Sequence, residues 1–334
     1  MKKIALYGTF NPAAKNMFRD KLPKEFEIVE FDSPDEFYKL KDVEYIVNRS
    51  FAIDEEVFNH APRLTLLQKW GAGYDKIDIK AAGERGISVA VCQGVNSMPV
   101  AEITVLHMLA VYRNLLPLAN KIKDNVWARD EYAKKSYMIN GKTVGLLGLG
   151  SIGQRVGMIV KRGFGAEVQY YDLHRMPEEK EMAIGFKYVD FDTLLRTSDI
   201  ISLHVPLLDS TRNMINRESF AKMKSTAIII NTSRGGIIDE EALIEALQKQ
   251  VIAGAGLDTF ANEPLDASSP LLQLENLVAT PHCGGNTADN DINMVACCID
   301  NILKYDRGDG LKPPILVNQE FLYVYRPLHN RIFN

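Results

Sequence analysis

Three glycines near the middle of the 334-residue chain have the spacing of a phosphate-binding loop. Gly148, Gly150 and Gly153 follow a short apolar run, residues 143–147, and precede a helical pattern. In that context the first glycine permits a tight turn, the second lets the backbone approach a pyrophosphate, and the third lets helix and strand pack closely. The start of the helix adds unpaired N–H groups and the positive end of its dipole. Because the spacing alone is common, the flanking strand and helix carry the prediction of a dinucleotide-binding site.

A carboxylate after the next strand pattern bears on which dinucleotide binds. Asp172 ends the run 167–171, about twenty residues beyond the loop, where a carboxylate meets the adenosine ribose hydroxyls. An anion at this place repels a 2′-phosphate, so NAD is favoured over NADP. His174 and Arg175 follow closely and could hold such a phosphate, which keeps NADP open as the less favoured cofactor.

Length, composition and charge limit the class of protein. A chain of 334 residues exceeds the usual size of one hydrophobic core, which predicts two domains. Hydrophobic residues make up 46% and charged residues 25%, as in an ordinary globular protein. The net charge of −4 leaves no basic excess for nucleic acid, so a small-molecule ligand is expected. The N-terminus shows no signal-peptide pattern, and the longest apolar run, near 103–111, is too short to cross a bilayer; we expect a cytoplasmic protein without a membrane partner.

The four cysteines have neither a disulfide-framework nor a zinc-ligand spacing. They are Cys92, Cys283, Cys297 and Cys298. Free thiols and no metal site are therefore expected.

Short apolar runs rich in β-branched residues alternate with helical patterns, which predicts an α/β fold with parallel sheets and crossover helices. The predicted strands are 3–7, 27–31, 45–48, 64–68 and 87–90 in a first series, and 143–147, 167–171, 200–204, 227–231, 253–257 and 277–280 in a second. One long helix, residues 98–119, separates the two series, and another, 287–305, follows the second. Asp239 is a plausible N-cap of the helix after the strand 227–231. The tail after Gly310 cannot continue a helix and is expected to return to the first domain.

Together with the glycine loop, four ordered segments resemble the D-isomer-specific 2-hydroxyacid dehydrogenases over nearly the whole chain. They are GAGYDKID at 71–78, NTSRGG at 231–236, LDTFANEP at 257–264 and TPHCGG at 280–285. The resemblance implies two doubly wound parallel-sheet domains, with a Rossmann nucleotide-binding domain inserted into a flavodoxin-like substrate domain. We predict that residues 1–98 begin the substrate-binding domain, that 99–300 form the NAD-binding domain and that 301–334 return to the first domain.

The resemblance also implies a reaction, namely hydride transfer between the nicotinamide and a 2-oxoacid/D-2-hydroxyacid pair. Reduction of a 2-oxoacid needs a cation to bind the carboxylate and polarise the carbonyl, and a proton donor for the developing alkoxide. By resemblance these are Arg234 and His282, with Glu263 as the carboxylate that stabilises the imidazolium and orients the ring. Considered singly, Arg234 is equally readily a surface arginine in a glycine turn, and a lone histidine is more often structural.

Further site residues follow from the same match. The residues expected to bind the cofactor are Gly148, Gly150, Ser151, Ile152, Gly153, Asp172, Val205, Pro206, Thr232, Ser233, Arg234, Asp258, His282 and Gly284. Asp258 is expected at the nicotinamide amide. Backbone N–H groups at Ala72 and Gly73 are expected to bind the substrate carboxylate together with Arg234 and His282. Arg49 resembles the position at which phosphoglycerate dehydrogenases contact their substrate, which suggests a second anionic group; an ordinary strand-end arginine is at least as good an interpretation.

Several alternatives stay open at this point. The same fold occurs in NAD-gated binding proteins of the corepressor type, which recognise partners without turnover. Formate dehydrogenases usually have glutamine where Glu263 stands and are disfavoured. Cys283 stands where the family more often has an aliphatic residue, so it is either an oxidation-sensitive thiol beside His282 or a buried packing residue. The helix 98–119 is apolar over more than one face, which favours a homodimer. The segment 320–334 matches no family motif, and the particular 2-hydroxyacid is not determined.

Overall fold

The computed structural model describes residues 1–322, so most of the C-terminal segment 320–334 lies outside the described residues. Contacts divide the chain into two compact units. Among the described residues, one comprises Met1–Asn96 and residues 287–322, and the other comprises Ser97–Asn286. The second unit is thus an insertion in the sequence of the first.

Both units consist of alternating strands and helices. The strands within residues 1–322 are β1 Lys2–Tyr7, β2 Phe26–Phe31, β3 Tyr45–Asn48, β4 Leu66–Lys69, β5 Ser88–Val91, β6 Thr143–Leu147, β7 Glu167–Tyr171, β8 Lys187–Tyr188, β9 Ile200–Leu203, β10 Ile228–Asn231, β11 Gly254–Leu257 and β12 Leu277–Ala279. The α-helices are α1 Pro12–Lys21, α2 Glu55–His60, α3 Ile79–Glu84, α4 Ser97–Tyr112, α5 Leu115–Lys123, α6 Ser151–Phe164, α7 Glu178–Ile184, α8 Phe191–Thr197, α9 Arg217–Lys222, α10 Glu240–Gln248, α11 Ala288–Asp306 and α12 Gln319–Leu322. None of the helices within residues 1–322 is long and apolar enough to cross a membrane. Every predicted strand is present, and β8 is an additional short one.

Each unit has one sheet, and all strand pairs within the two sheets are parallel. The first sheet has the order β2-β1-β3-β4-β5, which is the flavodoxin-like order with its switch point between β1 and β3. The second has the order β12-β11-β10-β9-β6-β7-β8, a Rossmann sheet extended by β12, with its switch point between β6 and β9. The predicted fold class is confirmed. In such sheets ligands bind beyond the carboxyl ends of the strands, near a switch point.

The strands of the second sheet are buried from both sides, which explains their continuous apolar sequences. In β10, Ile228 and Ile230 pack into a cluster with α4 and α6, whereas Ile229 packs into a second cluster with α10. The alternation of side chains along a strand places successive residues in opposite layers. Helices on both faces therefore hold the carboxyl ends of the strands in fixed positions.

The predicted continuous helix 98–119 is wrong, because two helices span this region. α4 ends at Tyr112, Asn114 adopts a left-handed conformation with φ 50°, and α5 begins at Leu115. Pro117 has no N–H to donate within a continuous helix, but it is tolerated in the first turn of a new one. The proline and the asparagine together account for the break.

The chain also returns to the first unit earlier than the predicted boundary at residue 300. Residue 300 falls inside α11, and α11 belongs to the first unit, because its apolar face packs with residues of β1 and β4. The chain after α11 then runs along β5. The N–H of Val91 donates to the carbonyl of Ile315 at 3.0 Å, and the N–H of Val317 donates to Val89 at 3.0 Å.

Candidate active site

The glycine loop lies between β6 and α6 at the switch point of the second sheet. Gly148 has φ 96°, and a Cβ there would lie 2.7 Å from the carbonyl oxygen of His204 after β9. A Cβ on Gly153 would overlap the carbonyl oxygen of Gly148. Gly150 is the N-cap of α6 and has open space where its Cβ would be. The loop therefore forms a close-packed turn that leaves room above Gly150, and these residues fit the phosphates of a dinucleotide.

Asp172 follows β7 and is held against this loop. Its Oδ2 accepts the N–H of Leu149 at 2.8 Å, and its Oδ1 accepts the N–H of His174 at 2.9 Å. The carboxylate thus stands beside the glycine loop, at the end of the strand adjacent to β6. This is the position at which a ribose diol is bound in Rossmann sheets.

His204 also lies in this region and was not predicted from the sequence. It comes directly after β9, its Nε2 lies 2.9 Å from the Oγ of Ser202, and its ring borders Gly153. Burial lowers the pKa of His204 to about 3, so its ring is neutral around pH 7. The sequence signal that could have identified it is its place directly after β9, which lies beside β6 at the switch point where ligands bind.

Arg234 is placed by a turn at the end of β10. The Oδ1 of the buried Asn231 accepts the N–H of Ser233 at 3.1 Å and its Oγ at 2.8 Å. The Nδ2 of Asn231 donates to the carbonyl of Arg234 at 2.9 Å, and the Nη1 of Arg234 donates to the carbonyl of Ser233 at 2.8 Å. These bonds fix both the backbone and the guanidinium of a half-buried arginine. Its planar fork is suited to a carboxylate.

The turn that contains Arg234 lies directly against the loop after β11. A Cβ on Gly235 would overlap the carbonyl group of Phe260, so only glycine allows this approach. The N–H of Phe260 in turn donates to Oε1 of Glu263 at 3.1 Å. The segments with Arg234 and Glu263 are therefore neighbours.

Glu263 and His282 form a hydrogen-bonded pair. The Nδ1 of His282 lies 2.8 Å from Oε2 of Glu263. An ionised carboxylate only accepts, so Nδ1 carries the proton and Nε2 is the ring atom that can exchange a proton with a ligand. The His282 backbone is left-handed, with φ 50°, and its side chain is 45% exposed. The pair joins the loops after β11 and β12.

Asp258, at the end of β11, anchors the loop that contains His282. The carboxylate is buried, with 2% exposure. Its Oδ1 accepts the Oγ1–H of Thr280 at 2.6 Å and the N–H of Cys283 at 3.0 Å, and its Oδ2 accepts the N–H of Gly284 at 2.8 Å. Thr280 precedes His282, and Cys283 and Gly284 follow it, so the three bonds anchor the loop on both sides of His282. From the sequence, Asp258 was expected only to contact the nicotinamide.

A buried polar strip from α4 supports the same strand ends. The Oγ1 of Thr104 lies 2.8 Å from the Oγ1 of Thr232, and the Nε2 of His107 lies 3.0 Å from the Oγ1 of Thr280. Because Thr280 donates its hydroxyl hydrogen to Asp258, the proton on His107 lies on Nε2. Thr104 and His107 are one turn apart on a helix face, and neither was singled out from the sequence.

The remaining predicted cofactor residues lie at three of these loops. Ser151 and Ile152 are the first residues of α6. Val205 and Pro206 follow β9, and the carbonyl of Pro206 accepts the hydroxyl of Thr211 at 2.7 Å. A Cβ on Gly284 would lie 2.9 Å from Oδ2 of Asp258, which explains the need for glycine there.

The predicted substrate residues of the first unit lie at the ends of β3 and β4. Ala72 and Gly73 follow Gly71, whose φ is 115°. The guanidinium of Arg49 lies 5.9 Å from the ring centre of Phe10 and 5.8 Å from that of Trp70. Its Nη1 donates to the carbonyl of Thr9 at 2.8 Å. Aromatic rings and a backbone carbonyl thus orient Arg49 at the switch point of the first sheet.

The four cysteines are free thiols. Cys283 is half-buried, and burial together with the nearby Asp258 carboxylate raises the pKa of its thiol. The sulfurs of Cys92 and Cys298 lie 3.5 Å apart in the first unit, and this hydrogen bond together with burial holds the pKa of Cys92 well above its ordinary value. Protonated thiols are poor nucleophiles.

Residues 105–284 match the NAD-binding domain of the D-isomer specific 2-hydroxyacid dehydrogenases. The chain belongs to this family. A glyoxylate reductase of Korarchaeum cryptofilum is 36% identical over 315 residues, which are 93% of this chain and 92% of that protein. The resemblance stated from the sequence motifs is thereby confirmed.

Two solved structures show how far the fold of this family extends along the chain. The D-lactate dehydrogenase of Aquifex aeolicus, complexed with NAD and lactic acid, has a TM-score of 0.80 at 27% identity and covers 92% of this chain and 96% of its own. An acyclic imino acid reductase in complex with NADPH and D-Arg has a TM-score of 0.81 at 28% identity and covers 94% and 99%. The chain thus resembles one structure with NAD and another with NADPH.

Proposed function

We propose that this member of the family is an NAD-dependent 2-oxoacid reductase that forms D-2-hydroxyacids. The observation that carries the proposal is the Glu263–His282 pair, with Nδ1 and Oε2 2.8 Å apart, beside the turn that contains Arg234. These groups supply the proton donor, its carboxylate partner and the cation that 2-oxoacid reduction requires.

The proposed mechanism divides the work between the two loops. Arg234 binds the substrate carboxylate through its fork and polarises the neighbouring carbonyl. A dinucleotide held by the glycine loop and Asp172 would supply the hydride that the carbonyl carbon accepts. Nε2 of His282 gives a proton to the carbonyl oxygen as negative charge develops there, and Glu263 stabilises the imidazolium beforehand and keeps the ring oriented. Oxidation of the hydroxyacid reverses these steps, with His282 accepting the proton.

The proposed cofactor site comprises the glycine loop, Asp172 and the loops after β9, β10 and β11. Main-chain N–H groups at the start of α6 bind the phosphates, and the Asp172 carboxylate binds the ribose hydroxyls. A carboxylate at this place favours NAD. The other residues proposed to contact the cofactor are those that the sequence match identified: Val205, Pro206, Thr232, Ser233, Arg234, Asp258, His282 and Gly284.

The proposed substrate is a small 2-oxoacid, since the Korarchaeum relative is named a glyoxylate reductase. N–H groups at Ala72 and Gly73 contribute to carboxylate binding. Arg49 is proposed to contact a second anionic group in substrates that carry one. The phenyl ring of Phe10 and the indole ring of Trp70 hold the guanidinium of Arg49 in one orientation, which supports a recognition role.

We further propose a cytoplasmic homodimer that buries the outer faces of α4 and α5. Leu106 is 53% exposed, Ile122 is 56% exposed and Trp127, just after α5, is 80% exposed. Large apolar side chains clustered along one stretch of chain mark interaction surfaces. Sedimentation velocity at micromolar concentration should show a dimer, and a monomer alone would contradict this part of the proposal.

The activity is tested by following NADH and NADPH oxidation with a panel of 2-oxoacids that includes glyoxylate, pyruvate and hydroxypyruvate. We expect turnover with at least one of them, faster with NADH, and the D-isomer as the sole product where the product is chiral. Tight binding of NADH without turnover of any 2-oxoacid would contradict the proposal and favour an NAD-gated binding protein of the corepressor type.

A further inference from the structure

Arg175 lies three residues beyond Asp172, close to where the adenosine ribose is proposed to bind, yet its side chain is directed at α7. Its Nε donates to Oε1 of Glu181 at 2.9 Å, and its Nη2 donates to Oε2 of Glu181 at 2.9 Å. The guanidinium also lies over the ring of Tyr188, 5.1 Å from its centre. The fork of the arginine is therefore occupied by a carboxylate in bidentate geometry.

Glu181 is itself held in place on its buried side. Its side chain is 7% exposed, and the hydroxyl of Tyr170 donates to its Oε1 at 2.5 Å. The same hydroxyl accepts the N–H of Met176 at 3.0 Å, which ties the chain after Asp172 to β7. The hydrogen bond from Arg175 is the main cause that lowers the pKa of Glu181 to about 2, so the pair is ionised at neutral pH.

Asp172 is bound differently. Its two oxygens accept backbone N–H groups, from Leu149 and from His174, at 2.8 Å and 2.9 Å. A 2′-phosphate entering beside Asp172 would meet this carboxylate while the nearby guanidinium is engaged with Glu181. A ribose 2′-hydroxyl, in contrast, can donate a hydrogen bond to Asp172.

We propose that Glu181 is a specificity-determining positioning residue, which keeps the enzyme selective for NAD by holding Arg175 away from the 2′-position of the adenosine ribose. The inference rests on the proposed NAD-dependent function and extends it to a residue that does not contact the cofactor. Loss of the Glu181 charge releases the guanidinium, which can then reach a 2′-phosphate that Asp172 alone repels. Arg175 thus acts as a latent phosphate-binding group.

The test measures dinucleotide binding without substrate, by fluorescence titration of NADH and NADPH. Glu181→Gln should bind NADPH about tenfold more tightly than the wild type, which is the size expected for one new charge-assisted contact. Its affinity for NADH should stay within about twofold. Adding Arg175→Met to this variant should abolish the gain. Glu179→Gln, an exposed position on the same helix, removes the same charge without touching Arg175 and should change neither affinity.

Two results would overturn the inference. One is unchanged NADPH affinity in a Glu181→Gln protein that still binds NADH normally. The other comes from Arg175→Met in the wild-type background, which does not require substitution of the buried Glu181. We expect unchanged NADPH affinity there, and weaker NADPH binding would show that Arg175 already reaches the phosphate. Failure of the wild type to bind either dinucleotide would instead contradict the proposed function itself.

Discussion

Asp258→Asn tests whether the buried carboxylate anchors the loop that contains His282. The amide keeps an acceptor oxygen for Thr280 and the N–H of Cys283, but its NH₂ group faces the N–H of Gly284, which now lies 2.8 Å from Oδ2. One hydrogen bond to a charged acceptor is lost, and a main-chain donor is left facing another donor. Losses of this kind cost about 2–4 kcal/mol.

The cost should appear locally and without any ligand. Amide hydrogen exchange at Cys283 and Gly284, measured without dinucleotide, should accelerate about 30- to 1,000-fold, since about 1.4 kcal/mol corresponds to a factor of ten. The urea midpoint should fall, and kcat should fall with it because His282 loses its fixed position. Asp209→Asn, at an exposed position, is the matched control and should change none of these quantities.

A different pattern would refute the reasoning. If Asp258→Asn keeps wild-type exchange and urea stability but loses affinity for NADH, the carboxylate serves the nicotinamide and does not hold the loop. The measurement therefore separates the role shown by the three hydrogen bonds from the role implied by family resemblance.

Three further predictions concern the same region. Burial and Asp258 raise the pKa of Cys283, so iodoacetamide should alkylate it more slowly than an exposed thiol at pH 8, and faster above about pH 9. Mass spectrometry follows the modification. Equal rates for Cys283 and an exposed thiol would contradict a protonated Cys283. Burial lowers the pKa of His204 to about 3, so between about pH 6.5 and 3 only the unfolded chain binds this proton, and the free energy of unfolding falls as the pH falls. In His204→Asn the free energy of unfolding, measured in urea, should therefore fall less steeply in this pH range, by about 1.4 kcal/mol per pH unit. An unchanged slope would contradict the assignment. Gly235→Ala should lower both the melting temperature and kcat, because its Cβ would overlap the carbonyl of Phe260, whereas wild-type values would show that the two loops can separate at no cost.

The parallel α/β architecture was predictable because both units rely on strong local signals. Strands buried from both sides give continuous apolar runs such as Ile228 to Ile230, and the glycine loop needs its neighbours only within a few residues. The order of the strands followed from the family resemblance. The same local signals were present but misjudged at Asn114 and Pro117, where the apolar pattern continues through a break in the helix.

The contacts that hold the site residues in place were harder to predict, because they join residues far apart in the sequence. His107 meets Thr280 across 173 positions, and Asp258 meets Gly284 across 26. No periodicity predicts such pairs, since they form only when α4 packs beneath the ends of β11 and β12. Arg175 and Glu181 are six positions apart, yet their contact depends on how the chain turns between β7 and α7.

The central claim, that His282 is the proton donor of a 2-oxoacid reductase, is tested most directly by the turnover of His282→Gln with saturating NADH and the best 2-oxoacid of the panel. We predict a loss in kcat of about 100- to 10,000-fold, with NADH affinity and melting temperature close to those of the wild type. His60→Gln, at an exposed histidine of the first unit, should retain full activity. Near-normal turnover by His282→Gln on every substrate that the wild type reduces would contradict the account.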